Sequence, residues 1–348
     1  MNARFQGLVY GAVLAVLLGW VLRIGRDVFV PIVFGTLVVY VIVGFARLLS
    51  RIPYLGRLLP IQIRHVVSGV VISLGLVALA LHLVAYTDEV LAVAPQYQRS
   101  LLAAIQKAAV ILRIETEPTW TTLRQQVLAQ VNLQRLLGSV LASVSSVIAT
   151  VTVVLLYASF LVLERRSLAA KMASISSDPE KAARIRQVTD DIHAKVGSYL
   201  ALKTAISLLL GAVCWVPMKL LGVPFAGLLA LLIAMLNFVP YLGSFLGVVI
   251  PLVVEVAQFG EPGVILALLA SLTAAQFLIG NFLDPYLMGA SLNLSPFAIL
   301  VSLAVWSQLW GVPGAFLAVP ITAVLGIVLS EFPGFRPIAI LLSQDGRL

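Results

Sequence analysis

The sequence predicts an all-α polytopic membrane protein with about eight transmembrane segments. Its 348 residues are 61% hydrophobic and 11% charged, whereas a soluble domain carries about 25% charged residues. Long apolar runs alternate with connections that hold most of the Lys and Arg residues. The net charge of +8 is therefore expected to orient the chain in a bilayer and does not indicate a nucleic-acid partner.

The N-terminal half contains apolar runs separated by polar connections. Residues 1–86 hold three runs of the length that a transmembrane helix needs. The connection after the second run contains Arg47, Arg51 and Arg57 with no acidic residue, which predicts a cytoplasmic loop. Three further segments follow: an amphipathic extracytoplasmic segment over 87–138, a fourth transmembrane helix over 139–163 and a basic cytoplasmic helix over 164–198.

The apolar faces of segment 87–138 leave three alternatives open. They can lie on the membrane, pack on the transmembrane bundle, or form a homo-oligomer contact.

The C-terminal half is organised around two apolar stretches that Pro and Gly interrupt, over residues 223–257 and 295–330. Five residues of the first stretch recur 72 positions later, at 296, 297, 298, 300 and 303: Pro224, Phe225, Ala226, Leu228 and Leu231. We therefore predict two transport repeats, 199–258 and 263–330, followed by a cytoplasmic tail, 331–348. An odd number of elements in each repeat would make the repeats inverted. Each broken stretch either crosses the membrane or forms a re-entrant hairpin.

The two breaks are the predicted transport site. Backbone groups freed by Pro and Gly are tolerated in lipid only where protein or a polar cavity surrounds them, and a matched pair of interrupted segments points to a binding site. Two helices kinked by packing alone are the alternative. The predicted residues are Asn237, Pro240, Tyr241 and Gly243 in the first break, facing Gln308, Pro313 and Gly314 in the second.

Polar residues in the run between the breaks extend this site. Gln276 and Asn281 are predicted to share one side of a helix, and Asp284 follows them directly before Pro285. A buried Asp284 could take up a proton or a cation, or it could simply end the span at the interface. Two other ionisable residues, Lys203 and Glu255, are expected at the membrane interface.

Several classes of function are disfavoured. The single Cys214 and three separated His residues predict no metal site and no cofactor. Residues 197–204 have the length of a phosphate-binding loop, but Leu202 stands where that motif needs Gly, so ATP hydrolysis is not expected. Paired aspartates or a Ser/His arrangement of an intramembrane protease are not visible either. We therefore predict that the chain is not an enzyme.

Several C-terminal motifs resemble the autoinducer-2 exporter family of bacterial and archaeal permeases. They are the run Asn237 to Gly243, Gln276 with Asn281 and Pro285, the run Gly289 to Pro296, and Gly311 to Gly314 followed by Ala318-Val319-Pro320. The resemblance implies a transporter of about eight spans in the inner membrane with both termini cytoplasmic. Family members are associated with export of the quorum-sensing signal autoinducer-2, and others with sodium (lithium)/proton antiport. This chain has Ile279 and Gly280 where relatives often place an acid.

These observations predict a secondary transporter, an exporter of a small polar solute such as autoinducer-2 that works by alternating access around the two broken elements. One alternative is a sodium (lithium)/proton antiporter that uses Asp284. The other is a membrane scaffold without transport, in which 87–138 and the cytoplasmic helix 178–196 bind partners. The predicted partners are a small polar solute or a monovalent cation, and the lipid bilayer.

Overall fold

The computed structural model describes residues 3–51, 60–111, 147–164, 171, 178–258, 260–288 and 292–346. Within these residues the secondary structure is helical apart from one isolated antiparallel bridge between Leu294 and Ser343. The helices are α1 (Ala3–Ile24), α2 (Arg26–Arg51), α3 (Ile61–Ile111), α4 (Val147–Glu164), α5 (Pro179–Leu220), α6 (Ala226–Leu236), α7 (Leu242–Gln258), α8 (Pro262–Leu278), a π-helical turn (Ile279–Leu283), α9 (Asp284–Met288), α10 (Pro296–Trp310), α11 (Val312–Ser330) and α12 (Arg336–Leu342).

Six of the described helices are long and apolar enough to cross a membrane. They are Arg26–Arg47, Ile61–Tyr86, Val147–Glu164, Pro179–Leu220, Pro262–Leu287 and Val312–Ser330. Together with the apolar composition they confirm an all-α, multi-pass membrane protein, while the count of eight segments stays a prediction. Residues 112–138 of the predicted amphipathic segment, and the predicted start of the fourth helix at 139–146, lie outside the described residues.

Two helices are longer than the sequence suggested. Helix α5 joins residues 179–198 of the predicted cytoplasmic helix and the start of repeat 199–258 into 42 continuous residues. Helix α3 continues past the third apolar run of residues 1–86 to a length of 51 residues. Helix α5 begins where the Asp178 carboxylate accepts a hydrogen bond of 3.0 Å from the backbone N–H of Glu180. No proline interrupts α5 before Pro217, which agrees with one continuous run of helical residues.

The chain divides into two compact units, each of which holds one of the broken stretches. The first unit comprises Met1–Ser73, Thr152–Leu202 and Met288–Leu348, and the second comprises Leu74–Val151 and Lys203–Leu287. The stretch 295–330 belongs to the first unit and the stretch 223–257 to the second.

In the first unit, α10 and α11 form an antiparallel hairpin. The indole N–H of Trp306 donates a hydrogen bond of 3.2 Å to the Thr322 hydroxyl, 16 residues away, whereas a straight helix would separate these residues by about 24 Å. Gly311 turns the chain with φ 65°, a value that favours glycine. A side chain at Gly314 would overlap the carbonyl of Trp306. The second break of the sequence is therefore the tip of a hairpin.

In the second unit, α6 and α7 form a hairpin of the same kind. A side chain at Gly243 would overlap the carbonyl of Leu236, and one at Gly247 would lie 3.6 Å from the Ile233 side chain on the opposite arm. Tyr241 stands at the tip with φ 62°. Each break thus brings a glycine against the carbonyl of the arm before it, and both broken stretches fold back as hairpins.

Candidate functional site

The second unit buries a row of polar side chains that begins on α5. Lys203 and Ser207 lie four residues apart on this helix and are 7% and 1% exposed. Residues with this spacing are neighbours on one helix face. That face is directed into the protein, although the part of α5 from Tyr199 onward is otherwise mostly apolar.

Lys203 forms an ion pair with Asp284. The distance from Lys203 Nζ to Asp284 Oδ2 is 2.7 Å, and the two side chains are 8% and 19% exposed. The expectation that Lys203 reaches the membrane interface is therefore wrong, because a carboxylate 81 residues away in the sequence holds the ammonium group inside the protein. Asp284 likewise does more than end a span.

The backbone before Asp284 is irregular. Residues Ile279–Leu283 form a π-helical turn, a feature that is frequent at functional sites. Pro285 follows and has no N–H to donate to the preceding turn. Asp284 therefore lies between a π-helical turn and a proline, where the regular hydrogen bonding of the α-helix is interrupted.

A second polar contact joins the tip of the hairpin to α5. The side-chain amide of Asn237 donates a hydrogen bond of 3.0 Å to the Ser207 hydroxyl, and Asn237 is 9% exposed. Because Ser207 lies one turn from Lys203, the hairpin tip and the ion pair belong to one row of buried polar groups.

Two predicted site residues of this unit each bury one atom without a hydrogen-bond partner: Gln276 Nε2, a donor, and Asp284 Oδ1, an acceptor. Gln276 is 7% exposed and its amide packs against the bare Cα of Gly247. Buried polar groups are nearly always hydrogen-bonded, so these atoms could be satisfied by a polar solute.

Other predicted residues of this unit lie apart from the row. Asn281 is exposed, and its side chain donates to the carbonyl of Phe277 on its own helix, at 3.2 Å. Gln276 and Asn281 therefore do not share one environment, contrary to the prediction. Tyr241 is 57% exposed, Pro240 is half-buried and Gly243 is buried, all three at the hairpin tip.

The predicted residues of the second break belong to the first unit. Gln308 is exposed, Pro313 is half-buried and Gly314 is buried at the turn between α10 and α11. Beside them the Trp310 indole donates a hydrogen bond of 2.8 Å to the carbonyl of Leu22 in α1. Their position opposite the Asn237 break stays a prediction.

The first unit also contains a polar cavity of about 700 Å³. Arg184 crosses from the start of α5 to Glu331 at the end of α11, with contacts of 2.6 and 3.1 Å to the two carboxylate oxygens. Asp191, Lys195 and Arg336 also line the cavity. The wall of this cavity therefore carries both positive and negative side chains.

The sequence analysis did not include Lys203 and Ser207 among the predicted site residues. They are two polar residues four positions apart in an apolar run, a spacing that places both on one helix face. The partners Asp284 and Asn237 could not be assigned, because they lie far away in the sequence.

The protein is thus a multi-pass membrane protein whose helices bury an ion pair and a row of polar side chains. A polar interior of this kind is what a transporter requires. The chain belongs to the AI-2E family of transporters: the family model described as "AI-2E family transporter" matches residues 10–334. The family prediction made from the C-terminal motifs is thereby confirmed.

Relatives from bacteria extend over most of the chain. It is 29% identical over 341 residues to "AI-2 transport protein TqsA" of Escherichia coli (strain K12), which covers 97% of this chain and 95% of the relative. It is also 29% identical over 290 residues to "Putative transport protein YhhT" of the same organism, covering 81% of this chain and 79% of the relative.

Proposed function

We propose that the protein is a secondary transporter that exports a small polar solute such as autoinducer-2 across the bacterial inner membrane. The observation that carries the proposal is the buried polar row of the second unit, in which Asn237, Ser207, Lys203 and Asp284 are held inside an apolar bundle. Polar and charged groups are costly in membrane-embedded protein and mark solute pathways. The AI-2 transport protein among the relatives favours a signal molecule of this kind as the solute.

The two hairpins supply the moving parts in this proposal. Repeats 199–258 and 263–330 are inverted copies, each a helix followed by a hairpin, and alternating access results when one repeat moves against the other. The solute binds at the breaks and receives hydrogen bonds from groups such as the Gln276 amide, whose Nε2 has no partner. Both chain termini are cytoplasmic, so the polar cavity beside α11 opens toward the cytoplasm and admits the solute.

A sodium (lithium)/proton antiporter that uses Asp284 is the second candidate. The buried Asp284 Oδ1 without a partner favours it, but Oδ2 already binds the Lys203 ammonium at 2.7 Å. A cation could enter only if the Lys203 ammonium moved away from this oxygen. The scaffold alternative rests on segment 87–138, of which residues 112–138 lie outside the described residues, and on the cytoplasmic helix 178–196. No contact of the described residues favours it.

One preparation of proteoliposomes distinguishes these functions. Liposomes with the purified protein are loaded with labelled autoinducer-2 and a pH-sensitive dye, and protein-free liposomes serve as the control. We expect efflux of the label that needs the protein, and no proton movement when sodium or lithium gradients are imposed. Proton movement that needs both the cation and Asp284, and is lost in Asp284→Asn, would instead identify the antiporter. Efflux equal to that of protein-free liposomes would reject autoinducer-2 as the solute.

A further inference from the structure

Glu255 is a carboxylate inside the protein that the transport row does not use. It lies in the last turn of α7 and is 0% exposed, so the interfacial position expected from the sequence is wrong. The helix ends directly after it, where Gly260, with φ 66°, donates its N–H to the Glu255 carbonyl at 3.1 Å. The side chain is thus fully covered although the helix end is near.

Three buried oxygen atoms at this helix end have no hydrogen-bond donor: Glu255 Oε1, Glu255 Oε2 and Gln258 Oε1. Glu255 and Gln258 are three residues apart on α7, a spacing that brings their Cβ atoms to about 5–6 Å. In protein interiors nearly all buried polar atoms have a hydrogen-bond partner, so three buried acceptors without a donor are unusual.

Two other titratable groups interact electrostatically with Glu255. Tyr97 of α3 is 9% exposed, and its pKa is raised by burial and then by the Glu255 carboxylate. Glu261, in the exposed connection before α8, adds a second negative charge. Among the described residues Glu255 has no salt-bridge partner, in contrast to Asp284, whose charge Lys203 already balances.

We propose that Glu255 and Gln258 form a binding site for one monovalent cation, either a proton or an alkali metal ion. An ionised carboxylate buried without a counter-charge costs far more free energy than a folded protein can supply. Carboxylate and amide oxygens are the hard ligands that such cations take. No three His, Cys, Asp or Glu side chains of the described residues are grouped as a metal-ligand set, and a single carboxylate matches a single positive charge.

This site goes beyond the proposed transport function and can be tested without it. The full-length protein is purified in detergent, and its thermal unfolding is followed at constant ionic strength while NaCl, LiCl or KCl replaces choline chloride, at pH 6 and pH 8. For the wild type we expect a rise in Tm of about 2 °C or more when a cation that fits is added or when the pH is lowered. The matched variants are Glu255→Gln and, as the control, Glu89→Gln, which removes the same charge from an exposed position of α3.

The two sources of charge give different patterns. A metal ion stabilises the wild type at pH 8 and less at pH 6, where protons compete, whereas a proton alone stabilises it at pH 6 whatever the salt. In either case Glu255→Gln loses the response and Glu89→Gln keeps it. The proposal would be overturned if the Tm of the wild type and that of Glu255→Gln changed equally. It would also be overturned if the wild-type Tm changed with neither the added cation nor the pH.

A second variant keeps the test decisive if Glu255→Gln does not fold. Gln258→Leu removes one acceptor and leaves the carboxylate in place. We expect the half-maximal cation concentration, or the proton concentration that gives the same stabilisation, to increase roughly tenfold. An unchanged midpoint would overturn the role of this helix end.

Discussion

At the scale of single residues, the Lys203–Asp284 pair is the most consequential contact of the second unit. Both groups are largely withdrawn from water, so each depends on the other for its compensating charge. Removal of one partner from a buried pair is costly because the remaining charge is left uncompensated, whereas replacement of both by apolar groups is often tolerated.

The pair predicts a specific pattern of stability. Asp284→Asn leaves the Lys203 ammonium, at 8% exposure, without a counter-charge and should lower the free energy of unfolding by about 3 kcal/mol or more. The double variant Lys203→Met/Asp284→Leu should regain most of this loss, because neither charge is then buried. Thermal unfolding of the purified variants measures both effects. A single variant as stable as the wild type would contradict the coupling of the two charges.

The sequence was sufficient to identify Asp284 as a candidate but not its partner. Its position before Pro285, in an apolar half with few ionisable groups, indicated a role within the membrane. Lys203 looked like an interfacial lysine because it follows a polar helix. The two residues are separated by 81 positions in the sequence. Hydrophobic periodicity describes one helix at a time, so it cannot predict a contact between residues of two different helices.

At the scale of elements, the two hairpins depend on glycines at their tips. Gly314 and Gly243 each lie where a side chain would overlap a backbone carbonyl of the preceding arm. A carbonyl within a helix cannot move aside as a flexible side chain can, so the arms could separate only by losing their contacts.

The hairpin of the first unit gives the cleaner test of this close approach. Gly314→Ala should lower the free energy of unfolding by about 1–3 kcal/mol, because the new methyl group meets the Trp306 carbonyl. Gly326→Ala is the matched control, since a side chain there has open space in the interior of the same helix. It should leave stability unchanged or raise it by up to about 1 kcal/mol. Equal unfolding temperatures for the two variants would mean that the arms are not in contact at the tip.

The breaks themselves could be predicted from Pro, Gly and the recurring Pro-Phe-Ala motif. Their closure into hairpins could not, because a broken helix that continues across the membrane has the same composition. The distinction rests on contacts across the turn, such as the bond from Trp306 to Thr322. The lengths of α3 and α5 were also missed, since a change from polar to apolar sequence does not end a helix unless a residue that breaks helices accompanies it.

At the scale of the whole molecule, each compact unit contains one hairpin and a distinct polar feature. The second unit has the buried row from Asn237 to Asp284, and the first has the charged cavity beside α11. The chain belongs to the AI-2E family of transporters, whose model matches residues 10–334, and a polar interior agrees with that membership. The central claim is that the buried row serves transport and not only packing.

Transport by a matched pair of serine variants tests this claim most directly. The Ser207 hydroxyl accepts the hydrogen bond from Asn237 at the hairpin tip, whereas the Ser271 hydroxyl donates to the carbonyl of Leu268 on its own helix. Efflux of labelled autoinducer-2 from proteoliposomes should fall about tenfold in Ser207→Ala, which leaves the buried Asn237 amide unsatisfied, and should stay close to the wild-type rate in Ser271→Ala. Wild-type efflux from both variants, at equal amounts of inserted protein, would contradict the assignment of the row to transport.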